Sequence, residues 1–567
     1  MIKQQIKQLV KEACDALQIP IEVDTVVVDY PADAKHGDYS TNVALIVAKR
    51  MVGRPSPMEV AEMLLDELSK KKNSIIERVE VARPGFLNFW VRDEVFISTL
   101  KSFDSVISLK TSLTGKKYLV EFAHPNTHKA FHIGHLRNIT TGESIVRLLE
   151  AVGVTVVRAN YQGDVGMHIA KCLYGILYNP EFAIENAGTG VKERVSFLGK
   201  AYATGSTAYE EDAVVKKKIG EINKKIYAKD SSILALYQIT RQWSLDYFET
   251  IYKRVGSHFD RYYFESEVYI SGKDIVQKGL DRRIFEKSDN AIIFRGSQYG
   301  LHDRVFITGE GNPTYEGKEM GLGPLQFREN NPDLIMHVVG PEQAGYFQVV
   351  FEALAQLDPK TRGKEYHLVY GWVKLKHGKM SSRTGKVILG EWLIDEAKKK
   401  IIEKYAVSPE IAEQIAVSAV KYSFLKVGLG QEIAFDLDES ISFEGNSGPY
   451  LQYTYVRTQS VLRKVKSPQP PLSRGGSVCG VEEREVLRLL VRFPEVVEEA
   501  AMRYAPNIVC TYLFELAQAF NVFYQKNQIL KAEDEGVRAF RLELTKATGK
   551  VLKDGLRLLG IQAPKRM

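Results

Sequence analysis

A chain of 567 residues exceeds what one hydrophobic core organises and implies three or four domains. Its 77 Lys and Arg against 70 Asp and Glu leave a net charge of only +7, so affinity for a polyanion must come from how charge clusters rather than from its total. Four cysteines, Cys14, Cys172, Cys479 and Cys510, lie far apart without paired spacing, which argues against a disulfide framework or a zinc site and for a reducing cytoplasm. No apolar run of about eighteen residues and no signal-like start appears, so no membrane association is expected.

Residues 1–110 alternate helical patterns, beginning with the amphipathic Met1-Ile-Lys-Gln-Gln-Ile-Lys7, with strands such as Thr25-Val-Val-Val-Asp29. They predict a compact α/β appendage. Residues 115–390 read as a second α/β domain. In it, Lys117-Tyr-Leu-Val-Glu-Phe-Ala123 is an apolar run rich in strand formers that leads through Pro125 and Asn126 to His132-Ile133-Gly134-His135. Leu136, Ile139, Ile145, Leu148, Leu149 and Val152 then recur at helical spacing until Gly153 stops them, and Val154-Thr-Val-Val-Arg-Ala159 reads as another strand. Strand, helix and strand within about forty residues predict a right-handed parallel crossover, whose ligands lie beyond the carboxyl ends of the strands.

A largely polar insertion around 183–232, rich in Lys, Glu, Ala and Gly, is expected to be helical and exposed. Gly371-Trp-Val-Lys-Leu375 is strand-like and precedes Lys379-Met380-Ser381-Ser382-Arg383, a basic run between Gly378 and Gly385 that reads as a loop. Residues 391–445 are read as a helical transition region. From 446 to 567, Ile508, Val509, Tyr512, Leu513, Leu516, Phe520 and Phe523, then Val537, Phe540, Leu544, Val551 and Leu559, recur at helical spacing and predict a helix bundle. The Pro- and Gly-rich stretch 466–477 is expected to be a surface loop between its helices.

The two basic stretches are chemically suited to grip one nucleoside triphosphate from opposite sides. Gly134 at a helix start permits close backbone approach, the helix terminus offers unpaired N–H groups to phosphate oxygens, and His132 and His135 add donors. Lys379 would complete the clamp. Transfer at phosphorus depends mainly on position and electrostatics, which such a set supplies.

The stretch Glu121-Phe-Ala-His-Pro-Asn-Thr-His-Lys-Ala-Phe-His-Ile-Gly-His-Leu-Arg-Asn138 resembles the signature of class I aminoacyl-tRNA synthetases. Its Pro125-Asn126-x-x-Lys129 portion is similar to that of the arginyl-tRNA synthetase family. The likeness runs end to end: His36-Gly-Asp-Tyr-Ser-Thr-Asn42 and Arg83-Pro-Gly-Phe-Leu-Asn-Phe89 resemble landmarks of that family's additional N-terminal domain. Gly448-Pro-Tyr-Leu-Gln-Tyr-Thr-Tyr-Val-Arg457, Phe520-Asn-Val-Phe-Tyr524 and Leu559 through Met567 resemble its anticodon-binding helices.

The resemblance implies a multidomain α/β plus all-α fold: a Rossmann-type parallel-sheet catalytic domain, an N-terminal α/β domain that touches tRNA, and a C-terminal helix bundle. It implies ATP-dependent activation of L-arginine and transfer to the 3′-terminal ribose of tRNA(Arg), through the 2′-OH, with activation itself dependent on tRNA. By the same likeness His132, His135, Lys129 and Lys379 stabilise the phosphates, and Gly134, Met380, Ser381 and Ser382 complete the ATP site. Mg2+ enters through pyrophosphate oxygens rather than a protein-built site. Tyr315, Glu319 and Glu265 face the arginine side chain, Asn126 and Gln343 its α-amino and carboxylate groups, with Asp164 nearby; Tyr450, Tyr453, Arg457, Tyr524 and Met567 face tRNA. The implied protein is a cytoplasmic monomer.

Where the family usually has Asp four residues after the pocket tyrosine, this chain has Glu319, which keeps the charge and lengthens the arm. Glu265 has a competitor two residues on, Glu267, and each is also readable as a surface acid. His124 and His128 read equally as loop packing or ATP contacts. The tyrosines read as core aromatics or as platforms for anticodon bases. Two rival functions stand beside this one. A class I synthetase for glutamate, glutamine or cysteine would need pocket cations or clustered cysteines, and a non-catalytic RNA-binding paralogue would not need His132, Gly134, His135 and Lys379 intact.

Overall fold

The computed structural model describes residues 2–31, 33–51, 53–70, 73–101, 109–376, 388–465 and 480–567. Lys379, Met380, Ser381, Ser382 and the stretch 466–477 lie outside the described residues. The apolar run that begins at Lys117 forms β1 (Lys117–Glu121), and the helical spacing beyond His132 forms α1 (Ile133–Ala151). Gly153, at φ +82°, turns the chain into β2 (Thr155–Gln162). Next come α2 (Met167–Tyr178), β3 (Arg261–Phe264), α3 (Glu265–Asp281), α4 (Tyr315–Asn330), β4 (Leu334–Val339), α5 (Ala344–Leu357) and β5 (Glu365–Val369).

The five strands pair in the order β5-β4-β1-β2-β3, and every pairing is parallel. The order reverses between β1 and β4, so the crevice beyond their carboxyl ends is where such a sheet receives a ligand. Leu119, Ala159, Tyr263 and Ile335 from four of the strands close a core with Val268 of α3 and Leu322 of α4. Those two helices pack backbone to backbone. A Cβ on Gly272 would stand 2.2 Å from the Gly317 carbonyl oxygen, and one on Gly321 would stand 2.3 Å from that of Val268.

The insertion departs in part from its sequence reading. It is helical, in Val191–Glu211, Ala213–Tyr227 and the start of Ser231–Arg254, but it is not simply exposed. Phe197, Leu198, Ala201, Ile219, Ile222 and Ile226 are buried against Ile169, Leu173 and Trp243. The many lysines mask a sparse apolar stripe that is enough to dock the helices. Two strands are shorter than their apolar runs: only Val28–Asp29 of the run from Thr25 is strand, after a 3-10 turn at Val23–Thr25, and only Val373–Leu375 of the run from Gly371.

By compactness the chain forms two units, one of residues 1–107, 454–499 and 512–554, the other of residues 108–453, 500–511 and 555–567. In the first, the antiparallel sheet of Val28–Asp29, Tyr39–Thr41, Ile76–Ala82 and Phe86–Val91 is tied to helix Val481–Met502 by the buried Asp38, which accepts from both terminal nitrogens of Arg484 at 3.1 and 3.0 Å. The second unit holds the parallel sheet. Substituting Gly272→Ala should overpack α3 against α4, cost about 1–3 kcal/mol and raise the KM for the ligand those helices serve. Urea unfolding and steady-state kinetics check both effects.

Candidate active site

His132 caps the N-terminus of α1, and its Nδ1 accepts from the Gly134 N–H at 3.1 Å. His135 Nδ1 in turn accepts from the His132 N–H at 3.2 Å, and the two rings stack with centres 3.7 Å apart. With both Nδ1 atoms used as acceptors, each neutral ring carries its proton on Nε2. Burial, then neighbouring Lys129, pulls His132 below the ordinary histidine value; burial, then His132, does the same to His135. The pair therefore presents two neutral N–H donors at the positive end of the α1 dipole, whose first N–H groups are already taken by the Ile388 carbonyl and His132 Nδ1.

The loop between β1 and α1 is held in unusual conformations. Ala123, His124 and His128 have φ of +78°, +48° and +62°, which cost non-glycine residues about 1–3 kcal/mol each and persist only where the surroundings fix them. Asn138 of α1 does part of the fixing: its Oδ1 accepts from the Ala123 N–H at 2.6 Å, and its Nδ2 donates to the Val338 carbonyl at 2.8 Å. Asn126 bridges to Gly163, where a Cβ would stand 2.1 Å from the Asn126 Oδ1, so only glycine fits. His128 resolves as loop packing, buried with its Nε2 2.8 Å from the Thr240 hydroxyl and its N–H donating to Ser244 Oγ. His124 Nε2 is buried without a protein partner.

Asp164 is fully buried, and its oxygens are committed to the Ser266 N–H and hydroxyl, Arg241 Nε and Tyr237 OH. It braces the first turn of α3, where Glu265 sits. Glu265 itself is buried and accepts from Lys318 Nζ at 2.6 Å, whereas its competitor Glu267 is partly exposed and pairs with Arg261. Glu319, one residue beyond Lys318, is 5% exposed and accepts from Tyr346 OH at 3.4 Å. Among the described residues no cationic side chain pairs with it. Burial, then the charge of Glu121, pushes its pKa up to about 8. Tyr315 opens α4 with its side chain 66% exposed and the Lys318 ammonium 5.2 Å from its ring centre. Gln343 ends the 3-10 turn Pro341–Gln343 just after β4.

Four residues of this pocket, Lys318, His337, Glu121 and Glu365, were given no role by the sequence reading. Lys318 stands between two candidate acids. His337 of β4 lies beside Glu121 of β1, with Glu365 of β5 on its other side. Glu121 was visible inside the signature stretch, and a charged residue ending an apolar strand was the signal available. His337 and Glu365 gave none, since only the strand pairing brings them together.

Lys129 is exposed on the loop after β1; burial of its stem and the nearby Lys171 lower its pKa. Lys379 through Ser382 are not described, but the chain on one side of them is: the Ile133 N–H donates to the Ile388 carbonyl at 2.9 Å, and Leu389 bridges to His132. Tyr453 and Tyr524 are exposed, Tyr450 is half-buried, and the Arg457 guanidinium lies over the Tyr524 ring at 5.1 Å. Met567 is half-buried.

A parallel sheet with a histidine-capped helix at its reversal point defines the catalytic domain of a class I aminoacyl-tRNA synthetase. Residues 102–436 match the family model for the class I (R) tRNA synthetase catalytic domain, residues 2–91 the arginyl tRNA synthetase N-terminal domain, and residues 451–567 the DALR anticodon binding domain. The chain is 31% identical over 587 residues to the arginine–tRNA ligase of Treponema denticola, spanning 99% of this chain and 97% of the relative. It is 31% identical over 549 residues to that of Amoebophilus asiaticus, spanning 90% and 91%. Its fold superposes on Thermus thermophilus arginyl-tRNA synthetase with a TM-score of 0.81 over the whole of both chains, at 24% identity. The chain belongs to the arginyl-tRNA synthetase family.

The position of Glu319 has a consequence in pH. A carboxyl group with a raised pKa is protonated below it, so a cation that pairs with Glu319 binds more weakly as pH falls below about 8. The KM for arginine should fall about tenfold per pH unit as pH rises toward 8 and flatten above it. Initial-rate kinetics across pH 6.5–8.5 check this, a range over which the guanidinium of arginine keeps its charge.

Proposed function

We propose that the crevice between β1 and β4 activates arginine with the roles that follow. The reaction is that of an arginine–tRNA ligase: ATP and arginine give arginyl-adenylate and diphosphate, and the arginyl group passes to tRNA(Arg) with release of AMP. In the first step an arginine carboxylate oxygen attacks the α-phosphorus of ATP and the bond to the β-phosphate oxygen breaks. In the second the terminal 2′-OH attacks the acyl carbon and the mixed anhydride opens. His132 and His135 donate through Nε2 to phosphate oxygens, Gly134 lets the nucleotide reach the helix terminus, and Lys129 stabilises the leaving diphosphate. Lys379, with Met380, Ser381 and Ser382, is assigned to the ATP phosphates; the reading is supported by the pairing of Leu389, farther along the same stretch of chain, with His132.

Mg2+ would arrive on the ATP phosphates, where it would supply charge neutralisation. Asn126 and Gln343 hold the α-amino and carboxylate groups of arginine, and Asp164 orients Glu265. The observation that carries the assignment of arginine is Glu319: a buried acid of α4 without a cation of its own, whereas Glu265 of α3 is already matched by Lys318. A guanidinium supplies the missing charge and can meet a carboxylate with two parallel N–H bonds, which an ammonium cannot. Glu265 and Tyr315 bound the same space, with Lys318 holding Glu265 until substrate arrives. Tyr450, Tyr453, Arg457, Tyr524 and Met567 serve the anticodon end by stacking and phosphate contact. The family assignment supports a reading of the protein as a cytoplasmic monomer. Separately, no described helix is long and apolar enough to cross a membrane.

Aminoacylation of total tRNA with labelled arginine tests the reading, with lysine, glutamate and glutamine as competitors. Acceptance of glutamate in place of arginine would refute the pocket. His132→Ala and Lys379→Ala should each slow activation, roughly 10²–10³-fold where one transition-state donor is lost, with the arginine KM nearly unchanged. Pyrophosphate exchange with tRNA present measures this, and the same exchange without tRNA should be silent.

A further inference from the structure

We propose that His337 is a positioning residue for arginine recognition: a buried cation seated between Glu121 and Glu365 that leaves Glu319 as the pocket acid free to meet the substrate. This rests on the reading of Glu319 as the guanidinium acceptor. His337 sits on β4 in register with Glu121 on β1 and with His367 on β5. Its Nδ1 is 3.3 Å from Glu121 Oε1, its Nε2 is 3.7 Å from Glu365 Oε1, and all three side chains are at most 4% exposed. Nδ1 is within hydrogen-bond reach of Glu121, while Nε2 meets Glu365 at ion-pair distance only, and a carboxylate on each side of the ring favours the imidazolium. Phe347 and Phe351 of α5 pack against the ring, with centres at 4.7 and 5.5 Å, so it has little room to turn away.

The groups around His337 make its charge consequential. β1 contributes Glu121, with its second oxygen accepting from Gln326 of α4 at 2.5 Å, and the loop after β1 contributes His124. From α4 comes Glu319, from α5 the Tyr346 hydroxyl, and from β5 Glu365 and His367; Glu265, held by Lys318, is the next acid out. Take the imidazolium away and Glu121, Glu319 and Glu365 share one dry space without a cation among the described residues. Like charges so confined do not all ionise. Glu319, which has the Tyr346 hydroxyl but no cation of its own, is then the group that holds a proton more tightly. Burial opposes the charge on His337, but Glu121 and Glu365 together raise its pKa to about 10, so the cation persists across the working pH range.

The test uses the full-length enzyme with tRNA present and reads the arginine KM as a function of pH. In His337→Asn the profile should move upward by about one pH unit, raising the arginine KM about tenfold at pH 7.5, while the KM for ATP and the rate at saturating arginine stay near their original values. Glu365→Gln, which removes an acid and leaves the cation, should move the profile the other way, and the double variant should return toward the parent. An unmoved profile in His337→Asn, or an equal rise in the KM for ATP, overturns the proposal. If His337→Asn does not fold, Glu365→Gln decides alone, and a profile that does not move downward overturns it. Glu319→Gln separates the two readings. If it leaves the arginine KM and its pH dependence intact, the pocket reading itself fails; if it abolishes the dependence while His337→Asn leaves the profile in place, only the role of His337 fails.

Discussion

Buried carboxylates need cations, and that requirement organises the catalytic crevice. Glu121, Asp164, Glu265, Glu319 and Glu365 all have side chains withdrawn from water around one sheet reversal. An uncompensated charge in such a place carries a penalty of several kcal/mol, so each acid either finds a partner or takes up a proton. Arg241 answers Asp164, Lys318 answers Glu265, and His337 answers Glu121 and Glu365. Glu319 is left over. Burial without a matching cation pushes its pKa up to about 8, and under the proposed assignment an incoming guanidinium would relieve it. Selectivity follows from the same arithmetic. A neutral side chain brings no charge, and an acidic one adds to the repulsion.

Geometry is referred to a single helix. α1 carries His132 and His135 on its first turn, and Asn138 on the next fixes both the loop that bears Asn126 and the end of β4. Arg137 is buried and donates to the carbonyls of Trp372, Leu429 and Gln431, anchoring the strands Val373–Leu375 and Ile433–Phe435 to the same helix. Farther along, Ser144 and Arg147 hold the carbonyls of Leu558 and Arg557. A displacement of α1 would thus be felt at His132 and His135, at the loop that bears Asn126 and at the carbonyls of Arg557 and Leu558 together. Rigid reference of this kind is what a reaction driven by positioning requires.

Much of this was legible in the residues. The strand-helix-strand pattern from Lys117 to Ala159 needed only periodicity and two glycines, and the histidine pair declared itself by type and spacing. The N-terminal helix was equally plain, since Ile2, Ile6 and Val10 fall on one face and are buried. What was hidden has a common cause. The apolar stripe of the insertion is too sparse to stand out among lysines, and Val26 and Val27 are β-branched yet fall outside the two-residue strand that follows them. The choice between Glu265 and Glu267 depended on which residue turns inward at the start of α3, which composition cannot give. His337 and Glu365 lie far apart in the chain from Glu121 and meet only because β4 inserts between β1 and β5. Pairing across a parallel sheet has no local signature, so a charge network built on it is invisible until the strand order is known.

The two halves of the crevice meet their ligands by different physics, and the difference suits the chemistry. Charge on the phosphates is redistributed during the reaction, and neutral N–H donors held by a helix terminus follow it without themselves being ions that must be desolvated. The depressed pKa values of His132 and His135 keep them in that neutral form. The guanidinium keeps its charge from binding to release, so a fixed negative partner is the economical complement, and a carboxylate whose ionisation is coupled to binding supplies it only when the substrate is there. Because the histidines remain neutral over the range in which Glu319 titrates, proton uptake is confined to the arginine side of the crevice. If Glu319 meets the guanidinium and the histidines meet the phosphates as proposed, binding and activation are separable by pH: acid would weaken the grip on arginine while the phosphate donors stay in the same protonation state.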